Sequence, residues 1–209
     1  MDNAERNRKR SGSSCRLRNA TPGDAGAFYE LIVMSSPYFE TLFGRQGAVI
    51  FQSMFRRTGN LFSHEHVIFA DVEGKPAGMI LCYGRRTKQF GDIPTALHFL
   101  REIDFETLLK LPLILKSGTA VGAVKKGEFY ISNMAVYSDY RGRGIAAELI
   151  GCAALRGRQE GAERLTLEVE QHNDGAIGFY EKCGFAITGD ARLSVGEEKL
   201  IYYMAKRIK

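Results

Sequence analysis

The sequence predicts an α/β fold, and three stretches carry that prediction. Phe129 to Val136 (FYISNMAV) is rich in aromatic and β-branched residues at strand length. Ser138-Asp139 breaks the run with turn chemistry. Arg141-Gly142-Arg143-Gly144 then opens a helix carrying Ile145, Leu149, Cys152 and Leu155 at helical spacing, with Ala146, Ile150 and Ala153 widening the apolar stripe. Arg164 to Glu170 (RLTLEVE) alternates Leu165, Leu167 and Val169 against Thr166, Glu168 and Glu170, the period of a half-buried strand. Asn173-Asp174 comes next as a helix cap, Ala176, Ile177, Phe179 and Tyr180 fill a short helix, and Gly184 closes it.

From the N-terminus, residues 1–18 hold six basic residues (Arg6, Arg8, Lys9, Arg10, Arg16, Arg18) against Asp2 and Glu5. That is +4 of the net +5, so the body is near neutral, and the Ser/Gly-bearing leader 1–14 reads as a solvated tail. No aromatic or recognition helix accompanies it, which argues against a nucleic-acid partner. Cys15 to Ala20 reads as a first strand, with Thr21 or Asp24 capping a helix over Ala25 to Met34. Ser35 to Asn60 carries Tyr38, Phe39, Phe43, Phe51 and Phe55 at irregular helical spacing, broken by Gly44 and Gly47; core packing is the reading favoured for these aromatics. His66 to Asp71 and Gly78 to Tyr83 flank Glu73-Gly74-Lys75-Pro76 and predict a hairpin. Beyond it, a helical pattern runs from Thr95 to Leu111 (Leu97, Leu100, Ile103, Leu108, Leu111), with Pro94 and Pro112 as start and stop. Gly118, Gly122 and Gly127 give the segment after Pro112 the character of a loop.

The Gly-rich turn has a chemical meaning. A helix N-terminus leaves backbone N–H groups pointing outward, and without Cβ atoms at Gly142 and Gly144 an anion can approach the main chain closely. This stretch is built to hold a phosphate. It lacks the Lys-Ser/Thr ending of a P-loop and the three-Gly dinucleotide fingerprint. Arg141-Gly142-Arg143-Gly144-Ile145-Ala146 resembles instead the Arg/Gln-x-x-Gly-x-Gly/Ala signature of the GNAT superfamily of N-acetyltransferases. Asn173, Ala176, Tyr180, Gly184 and Phe185 resemble that superfamily's second cofactor segment, in the right order and on the right element.

The resemblance implies a mixed, mostly antiparallel central sheet flanked by helices, within a single domain over 15–209. Arg16-x-Arg18-x-Ala20-Thr21-x-x-Asp24 is similar to the usual opening of that fold, and the 35–60 region would lie beside the acceptor site. A stretch at about 85–127 would be a helical insertion between the third and fourth strands. Acetyl-CoA would be the co-substrate. Its pantetheine arm would pair with main-chain groups of Met134, Ala135 and Val136, and its pyrophosphate would sit on the N–H groups from Gly142 to Ala146, with charge from Arg141 and Arg143. A backbone N–H near Met134 would stabilise the oxyanion, and Asn173 would fix the arm or an ordered water. Tyr180 is the expected general acid, because a thiolate leaving at a thiol pKa of ~8.5 needs a proton. An alkyl amine with a pKa near 10 needs a base. Where many relatives carry Glu on the fourth strand this chain has Tyr130 and Ser132, so Glu128 and Glu170 are the candidates and His172 a weaker third.

Composition bounds the rest. At 209 residues and 44% apolar content there is material for one well-buried core. No apolar run is long enough to span a bilayer and the N-terminus has no apolar signal region, so no membrane partner and a cytoplasmic location are expected. Cys15, Cys82, Cys152 and Cys183 lack metal spacing and read as reduced structural thiols; His64 and His66 lack a third ligand, so no metal is expected. The expected function is acetyl transfer to an amine by direct attack, the acceptor being a small molecule over which the insertion closes. The alternatives are a protein or peptide N-terminus or lysine as acceptor, and a non-catalytic acyl-CoA sensor. The insertion would otherwise pack against a second copy of the chain in a homodimer.

Overall fold

The structure, a computed structural model, describes residues 15–36, 38–109, 122–195 and 197–209. The leader 1–14, and Leu111, Pro112 and Gly118 of the expected insertion pattern, lie outside the described residues. Seven strands, β1 (Arg16–Asn19), β2 (Val67–Val72), β3 (Lys75–Gly84), β4 (Glu128–Val136), β5 (Arg164–Glu170), β6 (Ala186–Val195) and β7 (Glu197–Arg207), form one sheet in the order β1-β2-β3-β4-β5-β7-β6. Only β4 and β5 run parallel; every other neighbouring pair is antiparallel. The β2–β3 hairpin turns on Glu73 (φ 53°) and Gly74 (φ 76°), the left-handed pair that the twist of two joined strands requires.

Helices cover both faces. On one, α6 (Ile145–Gln159) and α7 (Asp174–Lys182) lie over Ile68, Ile80, Phe129, Leu165 and Leu167. On the other, α1 (Ala25–Ser35) and α3 (Gln46–Arg56) bring Phe28, Ile50 and Phe55 against Phe69, Leu81 and Tyr130. The aromatics Phe43, Phe51 and Phe55 belong to this second core, and Phe28 stacks on Phe55 with centroids 4.3 Å apart. Gly44 (φ 48°) separates α2 (Tyr38–Phe43) from α3. Gly47, the second expected break, instead lies inside α3, where a Cβ would stand 3.3 Å from the Tyr29 hydroxyl; its missing side chain lets α1 and α3 approach. At the first strand, Arg18 bridges Asp71 (2.6 Å) and Asp24 (2.8 Å), and Asp24 also accepts the Thr21 N–H, which binds the entry to α1 onto β2.

The insertion departs most from expectation. Its helix, α4, runs Arg85–Glu102, starting ten residues before the predicted Thr95 and containing Pro94 in its interior. Pro94 cannot donate to the Phe90 carbonyl one turn back, and bonds beside it hold the helix to its neighbour: the Thr95 hydroxyl donates to the Gly91 carbonyl at 2.6 Å and accepts the Leu61 N–H at 2.9 Å. Gly91 is buried so closely on Leu61 that a Cβ would lie 2.7 Å from its Cδ2. Tertiary packing thus carries the helix through a residue whose propensity would end it. A short helix α5 (Phe105–Leu109) comes after it. Among the described residues no helix is long and apolar enough to cross a membrane.

Candidate active site

The parallel pair β4–β5 opens into a V. Glu128, Phe129 and Tyr130 pair with Arg164, Leu165 and Thr166, and the pairing stops there. Beyond it, Leu167–Glu170 pair with β7 while Asn133–Val136 pair with β3, so the facing edges of the two strands part. A bulge in β4 accompanies the opening: Cys82 pairs with Ile131 and Leu81 with Asn133, leaving Ser132 as the extra residue. The bulge inverts the alternation. Phe129 and Ile131 face the α6 side, and past the bulge so do Met134 and Val136, while Ala135 turns to the α1 side. Buried Asn133 pins this kink, donating to the Ser35 and Ser36 hydroxyls at 2.9 and 3.2 Å and accepting from Ser132 at 2.8 Å. Met134, Ala135 and Val136 therefore lie along the open arm of the V, as a strand-like ligand would require.

The turn after β4 keeps the geometry expected of an anion cradle. Gly142 (φ 75°) and Gly144 (φ 83°) are left-handed, and a Cβ on either would meet no atom within 4 Å, so the space over the loop is open. The α6 ladder begins with Ala147 and Glu148, both donating to the Gly144 carbonyl (3.0 and 3.1 Å), which leaves the N–H groups of Ile145 and Ala146 in the orphan first turn. Donors of this kind fit a pyrophosphate. The two arginines brace the loop as well as charge it: Arg141 Nε donates to the Val136 carbonyl at 3.1 Å, and Arg143 donates to the Asp139 carbonyl at 2.9 Å while lying 5.3 Å over the Tyr140 ring. Asn173 is committed to capping α7, its Oδ1 accepting the Ala176 N–H at 3.1 Å.

Tyr180 projects from α7 into the α6-side core, its ring 5.4 Å from Phe179 and 5.6 Å from Phe185. Burial pushes its hydroxyl up to about 12, so it holds its proton across the neutral range.

The two carboxylates expected as bases sit elsewhere. Glu128 is at the closed root of the V, where its carboxylate accepts the Lys125 N–H (2.7 Å) and pairs with Arg164 (3.4 Å). Met134 lies six positions further along the strand, about 20 Å at the usual rise. Glu170 is exposed at the far end of β5, and His172 is exposed in the turn beyond. The carboxylate that the structure brings to the floor of the V is Glu168, two residues past the last β4–β5 pair. It accepts the Tyr130 hydroxyl at 2.6 Å and the Gly122 N–H at 2.9 and 3.1 Å. Burial raises its pKa above the ordinary glutamate value, against the opposing pull of these donors and of Lys88. The Tyr83 ring lies tilted against Tyr130, with centroids 5.7 Å apart, and extends a polar-aromatic wall beside Glu168. In the sequence Glu168 is only one polar position of an alternating strand. Its burial comes from Tyr130 and Gly122, 38 and 46 residues away.

Residues 28–185 match the family described as Acetyltransferase (GNAT) family. N-alpha-acetyltransferase MAK3 of Arabidopsis thaliana is 38% identical over 81 residues, 35% of this chain and 43% of that protein. Mycothiol acetyltransferase of Corynebacterium aurimucosum is 41% identical over 61 residues, 29% of this chain and 19% of that protein. The match thus spans less than half the length of either relative. The fold of an N-acetyltransferase from Staphylococcus aureus Mu50 is similar at a TM-score of 0.70, covering 91% of this chain and 99% of that one at 21% identity.

Proposed function

The chain belongs to the acetyltransferase (GNAT) family; from that premise we propose that it is an acetyl-transfer enzyme that moves the acetyl group of acetyl-CoA onto a small-molecule amine by direct attack. A C–N bond forms as the C–S bond breaks. Glu168 takes the proton the attacking amine must lose, directly or through a water, and Tyr180 supplies the proton that the departing thiolate needs. The open β4 edge at Met134 to Val136 binds the pantetheine arm, and the Gly142–Ala146 loop binds the pyrophosphate. The observation that carries this reading is the position of Glu168, half-buried at the floor of the V with its pKa raised. A base poised nearer neutrality works better at neutral pH than an ordinary surface glutamate. The small-molecule preference is supported by Gly122, whose N–H reaches Glu168 from the end of the insertion and narrows the acceptor side.

A second reading, a peptide α-amine as acceptor, is favoured by the similarity to an N-alpha-acetyltransferase. Free-thiol release from acetyl-CoA, measured with polyamines, aminoglycosides, amino acids and peptides bearing free N-termini, separates the two. Turnover with one class of small amine is the expected result. Turnover with peptides alone would replace the small acceptor with the peptide. No turnover in a protein that binds CoA would leave an acceptor outside the panel or the non-catalytic acyl-CoA sensor.

A further inference from the structure

Four polar residues are buried among those described: Asn60, Ser63, Thr107 and Asn133. The bonds of the first three stay within six residues along the chain, serving the turn after α3 and the cap of α5. Asn133 is different. Its amide reaches Ser35 and Ser36, 98 and 97 residues away. Taking an amide out of water is costly, and an apolar side chain of similar size would fill the same space without that cost. A buried polar group with its bonds satisfied fixes geometry instead.

The amide ties three parts of the fold to one point. Its Oδ1 accepts the hydroxyl of Ser132, the extra residue of the β4 bulge, at 2.8 Å. Its own backbone, opposite Leu81, immediately precedes Met134 on the open arm of the V. Its Nδ2 donates to both hydroxyls at the end of α1. There Ser35 donates to the Ile32 carbonyl at 2.7 Å, and the Ser36 N–H closes the helix on Ile32 and Val33. The Ser36 carbonyl accepts the Phe39 N–H at 3.0 Å as α2 begins. Past the end of β4, Tyr137 adds an exposed bond to Glu30. Otherwise Phe28, Leu31 and Ile32 of α1 meet the sheet through apolar contacts, which carry no direction. The bonds of Asn133 supply it. They lie on the side from which the amine comes: Leu167 and Val169 belong to the α6-side core, so Glu168 faces the α1 side, where it bonds Tyr130.

We propose that Asn133 is a positioning residue for acetyl transfer. Through Ser132, Ser35 and Ser36 it holds the β4 main chain at Met134, and with it the thioester carbonyl, in line with the attacking amine. This rests on the acetyl-transfer reading above and adds a residue that acts through the main chain rather than by touching substrate. A misplacement of about 1 Å between reacting groups can cost about 10²-fold in rate.

Single-turnover transfer from bound acetyl-CoA to the best amine of the panel tests this, with calorimetry of CoA and thermal unfolding alongside. Asn133→Leu is expected to slow the transfer step by about 10- to 10²-fold, with CoA affinity within about twofold. Ser35→Ala combined with Ser36→Ala keeps Asn133 and changes only half-buried hydroxyls; it is expected to slow the step about tenfold. Adding Asn133→Leu to that pair should slow it no further than Asn133→Leu does alone, because all three act through one set of bonds. A merely structural amide would lower the unfolding temperature and leave the transfer rate of the folded protein unchanged. That result overturns the proposal, and the serine pair decides if Asn133→Leu does not fold. A CoA affinity that falls in step with the rate also overturns it, making Asn133 part of the cofactor site. Wild-type transfer stands in both cases. A wild type that binds acetyl-CoA and never transfers it overturns the reading and this inference together.

Discussion

The two sides of the V are built from different materials. On the side proposed for CoA, β4, the Gly142–Gly144 turn, α6, β5 and α7 present mostly backbone: strand edges, orphan N–H groups and a capped helix. On the side proposed for the acceptor, the wall is made of side chains gathered from far apart: Tyr83, Tyr130 and Glu168, closed by Gly122 from the insertion and pinned by Asn133 onto Ser35. A site made of backbone leaves its mark as glycine positions and spacing, which one short stretch can display. A site made of convergent side chains leaves no local pattern, since its members are related only through the sheet.

That contrast can be broken in measurable ways. The largest effect is expected at Tyr180, the proposed general acid: Tyr180→Phe should lower kcat by about 10³-fold with CoA affinity unchanged in calorimetry, since general acid–base groups contribute about 10²–10⁴. A loss of CoA binding instead would make the residue a packing element of α7. Glu168→Gln should cost about 10²-fold in kcat near neutral pH, again with CoA affinity retained. Gly144→Val acts on the other side. At φ 83° a β-branched residue is strained, and the turn should lose about tenfold in CoA affinity while kcat at saturation changes little. The smallest effect is expected at Glu128, whose Arg164 partner is half exposed. Glu128→Gln should leave kcat within about twofold and cost no more than about 1 kcal/mol of stability by thermal unfolding; a large fall in kcat would return the base to the root of the V.

What is legible in the sequence divides the same way. β5 is readable with its observed bounds because its alternation holds throughout, and β4 and the start of α6 nearly so, from strand composition and the Arg-Gly-Arg-Gly turn, although the bulge at Ser132 is not. Asn173 as a helix cap is equally visible. The start of α4 is not. Pro94 reads as a start signal, and the burial of Gly91 on Leu61 with the Thr95 bonds explains a helix that instead runs through it. Leu97 and Leu100 read as part of a helical pattern, but the pattern cannot say that they stay exposed while Phe99 meets the core. Glu168 is hidden for a related reason: the alternation of β5 marks it as polar, while its burial depends on Tyr130 and Gly122. Glu128 draws notice by lying on the same strand face as Tyr130, yet the parallel pairing at Glu128–Arg164 places it at the closed end.

Glu168 is proposed as the base at the floor of this V, and the pH dependence of kcat tests that role most directly. With the best amine from the acceptor panel, the wild type should gain activity as pH rises through a Glu168 pKa lying above the usual glutamate value, since the base works only when deprotonated. Glu168→Gln should lose that acidic limb and run slower throughout. An identical limb in Glu168→Gln would contradict the assignment.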